Sequence, residues 1–168
     1  STPVASVVVM VLPVKVAELV SESIELLGAD IPRTLRIEID ASLDSSAQVL
    51  GSPVALQQIV INLLKNAAES MKSLTPQAYN SRIVVAIEEE SRDGRAMIGL
   101  SIRDNGAGIS QENLPQVFQR GFSTKSRPTS GQGLHWCAIT AAAFGGRITI
   151  DSDGPGQGAT VALWLPKA

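Results

Sequence analysis

Cysteine and histidine are almost missing from this chain: its 168 residues include one of each, Cys137 and His135. A single cysteine excludes an internal disulfide and suits a reducing compartment. With one histidine beside it, no Cys/His cluster is available for a structural zinc site. Aromatics make up only 4% of the chain, so those in polar segments are expected to anchor on the core. Charge of either sign is modest. A net charge of -2 gives no electrostatic reason to expect a nucleic-acid partner. The longest apolar run, VASVVVMVLPV near the start, is too short to cross a bilayer, is broken by Pro13 and lacks the basic flank of a signal peptide. It reads as a strand, near an edge of the fold or against an upstream domain. No GxxxxGK[ST] loop occurs, which excludes a conventional nucleotide P-loop. The length fits one domain over 1–168 with a full core, and no repeat interrupts it.

What the chain does have is a pair of amides, Asn62 and Asn66, in the stretch QQIVINLLKNAAESM (57–71). Leu56, Ile59, Val60, Leu63, Leu64, Ala67 and Met71 recur at helical spacing, and Ser52-Pro53 supplies a capping hydroxyl and a pre-set first turn. On that helix the two amides share a face, with Glu69 three residues beyond Asn66. Asparagine prefers caps and turns to helix interiors. Two of them there mark either solvated surface amides or a site that needs neutral oxygen ligands.

Three glycine clusters follow. Asp104-Asn105-Gly106-Ala107-Gly108-Ile109 comes directly after the alternating run AMIGLSIRD, so Asp104 ends a strand and glycines lie beyond it. A carboxylate there can accept an exocyclic amine, and the glycines let a flat ring approach the backbone. Gly131-Gln132-Gly133-Leu134 leads into HWCAITAAAF, where backbone amides at a helix start and the helix dipole make an anion site. Gly154-Pro155-Gly156-Gln157-Gly158-Ala159-Thr160 joins two strand-like runs. Taken singly, each cluster is a turn; their order after the amide helix is the specific feature.

Periodicity and turn residues predict strands at 5–12, 34–40 and 47–50, and helices at 14–28 and 53–74. A hairpin of strands 82–90 and 95–104 turns at Asp93-Gly94. A segment over about 105–132 carries only a short helix near 111–118. A helix at 133–144 stops at Gly145-Gly146, and strands at 147–152 and 158–165 close the chain. The expected class is α+β: a two-layer α/β sandwich, with a mixed sheet and helices on one face.

With these motifs in order, the chain resembles the ATP-binding catalytic domain of bacterial sensor histidine kinases. That domain belongs to the superfamily shared with gyrase, mismatch-repair ATPases and the large heat-shock chaperone. The resemblance rests on Asn62-Leu63-Leu64-Lys65-Asn66-Ala67-Ala68; on Asp104, Gly106 and Gly108; on Val117-Phe118-Gln119-Arg120-Gly121-Phe122-Ser123-Thr124-Lys125; on Gly131, Gly133 and Leu134; and on Gly156-Gln157-Gly158-Ala159-Thr160. It runs from about the helix at 14–28 to the end, and GFSTK looks like the kinase branch. It implies the Bergerat-type ATP-binding fold, ATP and Mg²⁺ as cofactors, and a lid over about 105–132. The chain departs from the pattern where His135-Trp136 follows Leu134 in place of a second Gly-Leu. The family's phospho-accepting histidine lies on a separate two-helix dimerisation domain. Since His135 is the only histidine here, we expect that domain to be absent, the chain being a fragment or the catalytic half of a split system.

The resemblance also implies roles. Asp104 receives the adenine amino group, with Thr160 as the supporting hydroxyl, and Gly106, Gly108 and Ile109 form the ring's surroundings. Asn66 presents its oxygen to Mg²⁺, and Asn62 completes or orients that shell. Lys65 and Lys125 are candidates for phosphate contact, with Arg120 and Arg127 beside the lid. Phe118 and Phe122 anchor the lid; Thr124, Gly131, Gln132, Gly133 and Leu134 complete the nucleotide set. In the hydrolase branches a Glu at the position of Asn62 activates water, a task an amide cannot perform. The expected function is therefore transfer of the γ-phosphoryl of ATP to a histidine on the protein's own dimerisation domain, and from there, in the full-length protein, to a response regulator. The alternative is an ATP-gated interaction or ATPase module, with Glu69 the only nearby carboxylate to support hydrolysis. The isolated domain is expected to be a cytoplasmic monomer, whether or not its parent is membrane-anchored.

Overall fold

The amide-bearing stretch folds as α2 (Pro53–Lys72) for the reasons legible in its sequence. Ser52 caps it, its Oγ accepting the Ala55 N–H at 3.3 Å. All seven residues of the expected apolar stripe, Leu56, Ile59, Val60, Leu63, Leu64, Ala67 and Met71, are buried. The computed structural model describes residues 10–31, 35–40, 46–72, 81–119 and 129–168. Around α2 stand β1 (Leu12–Lys15), α1 (Val16–Leu27), β2 (Arg36–Ile39) and β3 (Gln48–Gly51) before it. After it come β4 (Arg82–Arg92), β5 (Arg95–Asp104), α3 (Thr129–Ala143), β6 (Arg147–Asp151) and β7 (Ala159–Pro166).

Five strands form one sheet in the order β2-β4-β5-β7-β6, with β2 parallel to β4 and every other pair antiparallel. The β4–β5 hairpin turns at Asp93 and Gly94, both at positive φ, as a two-residue hairpin loop requires. Ile98, Leu100 and Ile102 of β5 and Val161, Leu163 and Leu165 of β7 pack with the apolar faces of α1, α2 and α3 in one core. The helices therefore lie on one face of a mixed sheet, the two-layer α+β architecture expected.

The opposite face is held differently. Gly99 leaves room for the Trp164 indole, since a β-carbon there would stand 2.6 Å from the ring. The Arg147 guanidinium lies 4.9 Å from the ring centroid and pairs with Glu90.

Several boundaries differ from expectation. The first described strand is β1 at Leu12–Lys15, not 5–12, because it pairs antiparallel with β3 through Lys15 and delays α1 to Val16; residues 1–9 lie outside the described set. Only a 3-10 turn, Leu114–Gln116, stands where a helix was expected near 111–118, with Pro115 at its start. The helix expected to begin at 133 begins at Thr129, so the second glycine cluster lies inside it.

Candidate functional site

Asp104 is the last residue of β5 and is 7% exposed. Its Oδ1 accepts the Gly106 N–H at 2.9 Å and the Ala159 N–H at 3.3 Å, so two backbone donors orient the carboxylate. Bonds of this kind hold a charged group more firmly than neutral pairs do. The loop beyond it has no room for side chains. A β-carbon on Gly106 would stand 2.2 Å from Ser70 Oγ. One on Gly108, which sits at φ +70°, would stand 2.1 Å from the Gly154 carbonyl oxygen.

The third glycine cluster completes this end of the site rather than a phosphate site. Gly156 N–H donates to the Ala107 carbonyl at 2.6 Å and Gly158 N–H to the Gly106 carbonyl at 3.1 Å. Thr160 does not stand where its expected part requires. The register opposes Asp104 with Ala159 and Arg103 with Thr160. Side chains alternate along a strand, so Thr160 shares the face of Arg103, opposite to the Asp104 carboxylate. It lines a recess of about 270 Å³ whose lining also includes Arg103, Asp104, Asp151, Asp153 and Gln157. The residue beside Asp104 is Ala159, which contributes a backbone N–H and no hydroxyl.

The amide end lies between α2 and α3. Gly133 faces Asn62: a β-carbon on the glycine would lie 3.9 Å from Asn62 Cγ. One turn further along α3, the buried Cys137 thiol lies beside the Asn62 side chain. Burial pushes that thiol up from 9.0 to about 11, and the Asn62 contact pulls it the other way. Asn66 lies on the same side of α2, and its Nδ2 is buried without a hydrogen-bond partner among the described residues.

Lys65 is turned away from the asparagines, while Glu69 stays nearer their face of the helix. Lys65 is exposed, and both line an opening of about 270 Å³ with Leu27, Asp30, Ile31 and Ala68, on the α1 side of α2. One residue along a helix is a rotation of about 100°, enough to separate Lys65 from Asn66.

Because α3 begins at Thr129, its first four N–H groups belong to 129–132 and include those of Gly131 and Gln132. Gly133 and Leu134 fall in the second turn, and Leu134 packs against the core. His135 is the seventh residue of α3 rather than a helix opener. Its Nδ1 meets the Phe118 carbonyl at 3.0 Å, while the Phe118 ring packs on the core. Arg120, Phe122, Thr124, Lys125 and Arg127 lie outside the described residues.

The donor chemistry fits a hard cation held jointly with phosphate. Among the described residues no three His, Cys, Asp or Glu side chains assemble as a metal site. The oxygens on offer between α2 and α3 are the neutral amides of Asn62 and Asn66. Mg²⁺ takes few protein oxygens and keeps waters and phosphate oxygens for the rest. A buried amide N–H without an acceptor, at Asn66, matches a phosphate oxygen equally well.

Residues 51–168 match the family model described as histidine kinase-, DNA gyrase B-, and HSP90-like ATPase. The chain belongs to this ATPase family. The match opens at β3 and takes in α2, the Asp104 loop, α3 and the β6–β7 connection. Among its relatives, sensor protein FixL of Bradyrhizobium diazoefficiens is 34% identical over 143 residues, covering 84% of this chain and 26% of FixL. The C4-dicarboxylate transport sensor protein DctB of Rhizobium meliloti is 32% identical over 157 residues, covering 93% of this chain and 23% of DctB. The chain thus spans about a quarter of the length of these curated relatives. Among solved structures, mycobacterial sensor histidine kinase MprB superposes with a TM-score of 0.74 at 26% identity, over 94% of this chain and 98% of that one. Within the ATPase family, the chain is an ATP-binding catalytic domain of the sensor histidine kinase type. Among the described residues, no helix is long and apolar enough to cross a membrane.

Proposed function

We propose that this domain transfers the γ-phosphoryl group of ATP to a histidine on a separate dimerisation domain of its parent protein, which then supplies a response regulator. The observation that carries this reading is the pair Asn62 and Asn66 on the side of α2 that faces α3. Asn62 cannot take a proton from water, and Glu69 lines the opening on the α1 side of α2. A neutral imidazole nitrogen needs no such base. It attacks the γ-phosphorus as the bond to the β–γ bridging oxygen breaks, and ADP leaves with that oxygen. Such transfer depends on positioning and charge neutralisation.

In this reading Asp104 accepts the adenine amino group, and the seam of Gly106, Gly108 and Ile109 forms the wall of the purine pocket. The free amides at the start of α3, Gly131 and Gln132 among them, meet the phosphates. Asn66 and Asn62 hold Mg²⁺, which when bound neutralises phosphate charge. Lys125 and Thr124 contact the phosphates, and Phe118 anchors the segment that leads to them. Lys65 is left out, because it lines the α1-side opening. In this reading the domain works on the cytoplasmic side, where ATP is available, and is a monomer when isolated, with no nucleic-acid partner.

The test is labelling with γ-labelled ATP. The chain alone should bind ATP yet acquire no phosphohistidine, because His135 is tied to the Phe118 carbonyl and cannot travel to a regulator. Adding the parent's dimerisation domain as a separate polypeptide should give acid-labile label on that domain only. Sustained ADP release by the chain without any partner, or label on the chain that disappears in His135→Gln, would overturn the proposal.

A further inference from the structure

Ser152 lies just past β6, outside every motif of the sequence, and its hydroxyl is a junction in the wall of the nucleotide end. It donates its one proton to the Gly158 carbonyl at 2.6 Å; the Gly154 carbonyl, at 3.4 Å, is the weaker alternative. It accepts the Ile109 N–H at 2.9 Å and the Gly154 N–H at 3.3 Å. A serine hydroxyl has one donor and two acceptor positions, and these bonds use all three. The Ser152 carbonyl takes a further bond, from Gln111 Nε2 at 3.2 Å. One residue thus joins the loop after Asp104, at two points, to the connection between β6 and β7.

The junction leads to the carboxylate. Gly158, which Ser152 holds by its carbonyl, sits so close over Asp104 that a β-carbon would stand 2.1 Å from the Asp104 carbonyl oxygen. The next residue, Ala159, donates its N–H to Asp104 Oδ1. On the other side, Ile109 closes the glycine loop whose Gly106 N–H bonds the same Oδ1. The Gly106 and Ala159 N–H groups that bond the Asp104 carboxylate therefore sit on segments pinned by one serine oxygen.

We propose that Ser152 is a positioning residue for adenine recognition: it touches no reacting atom, and sets the distance between the Asp104 carboxylate and the glycine loop against which the purine lies. This inference rests on the nucleotide site proposed above. Removing the hydroxyl leaves the Ile109 N–H and the Gly158 carbonyl without this partner and loosens the Ile109 end of a seam that the Gly156–Ala107 and Gly158–Gly106 backbone bonds still hold. Losing two such bonds should weaken nucleotide binding on the order of tenfold. It should also narrow the preference for ATP over GTP, because an exocyclic amine is read by a fixed acceptor.

The experiment is calorimetric titration of ATP and GTP, with and without Mg²⁺, into the unaltered chain, Ser152→Ala and Ser152→Thr. It is paired with amide hydrogen exchange at Ile109 in the unaltered chain. Expected are weaker ATP binding and a reduced ATP/GTP ratio in Ser152→Ala, an unchanged effect of Mg²⁺, recovery in Ser152→Thr, and a protected Ile109 amide. A purely structural serine would lower the melting temperature and leave the ATP/GTP ratio where it was. An unchanged ratio in Ser152→Ala overturns the inference, and so does fast exchange at Ile109, which is readable even if Ser152→Ala does not fold. If the unaltered chain binds neither nucleotide while Ile109 is protected, the nucleotide reading fails instead.

Discussion

Gly158 lies against Asp104 across two paired strands, with its backbone filling the space a side chain would need: a β-carbon would stand 2.1 Å from the Asp104 carbonyl oxygen. Gly156, two residues earlier, has a similar φ of +79° and nothing within 4 Å of the same position. The pair separates conformational strain from steric conflict. Gly156→Ala should cost about 1 kcal/mol, from the positive φ alone. Gly158→Ala adds an overlap with backbone that cannot swing away, and should cost roughly 3 kcal/mol or more. Chemical denaturation of the two variants measures the difference; equal losses would mean that the close approach does not govern this loop.

Asp104→Asn tests recognition with little change of shape. The amide oxygen can still accept the Gly106 and Ala159 N–H groups, but its NH₂ meets the adenine amine donor to donor. A lost hydrogen bond to a charged group corresponds to about 1.5–3 kcal/mol, so ATP affinity should fall roughly tenfold to a hundredfold. GTP, which offers a carbonyl oxygen at the same ring position, should lose less. Competition binding with the two nucleotides decides it, and a parallel loss for both would remove Asp104 from the purine.

Asn66 should show function and stability pulling apart. A buried, unpartnered Nδ2 costs about 1–3 kcal/mol in the free chain. Asn66→Leu should therefore melt at the same or a higher temperature while losing the Mg²⁺-dependent part of ATP binding. Titration with and without EDTA reads the second effect and calorimetric melting the first. A variant that binds Mg-ATP normally would show that the amide is not a ligand.

Cys137 gives a signature at alkaline pH. Its thiol is raised in the folded state, chiefly by burial, from 9.0 to about 11. The folded chain therefore holds this proton more tightly than the unfolded one. The resulting stability is complete below pH 9 and is lost as pH rises towards about 11. At about 1.4 kcal/mol per pKa unit the loss is on the order of 3 kcal/mol. It should be absent in Cys137→Ala. Urea midpoints measured across that range test it, and a Cys137→Ala profile that falls just as steeply would refute the assignment. The thiol should also resist alkylation near neutral pH until the chain unfolds.

The parts legible in the sequence are those written over short distances. The apolar stripe of α2, the Ser52 cap, the positive-φ turn at Asp93-Gly94 and the helix stop before Gly145 each follow from residues within a turn or two of one another. Asp104 at a strand end and the paired asparagines were found the same way. The misplacements have a common physical origin. Choosing Thr160 over Ala159 is an error of one residue, and in a strand one residue is the other face. Lys65 looked like a neighbour of Asn66 because they adjoin in sequence, yet helical rotation carries it to the α1 side.

By itself, then, the sequence determined most of the helices and strands, though not all their bounds, together with the α+β class, the family, and the amide, carboxylate and glycine chemistry on offer. Only the tertiary structure decided which of those groups meet. It brought Cys137 to Asn62 across two helices, seated His135 on the Phe118 carbonyl, and made Ser152 the joint between Ile109 and Gly158. These partners lie 6 to 75 residues apart in the chain, and the bonds that join the Asp104 loop to the β6–β7 connection depend on the register of β5 against β7. Local propensity carries no information about that register; it is set when the core closes and every apolar side chain must face the same way.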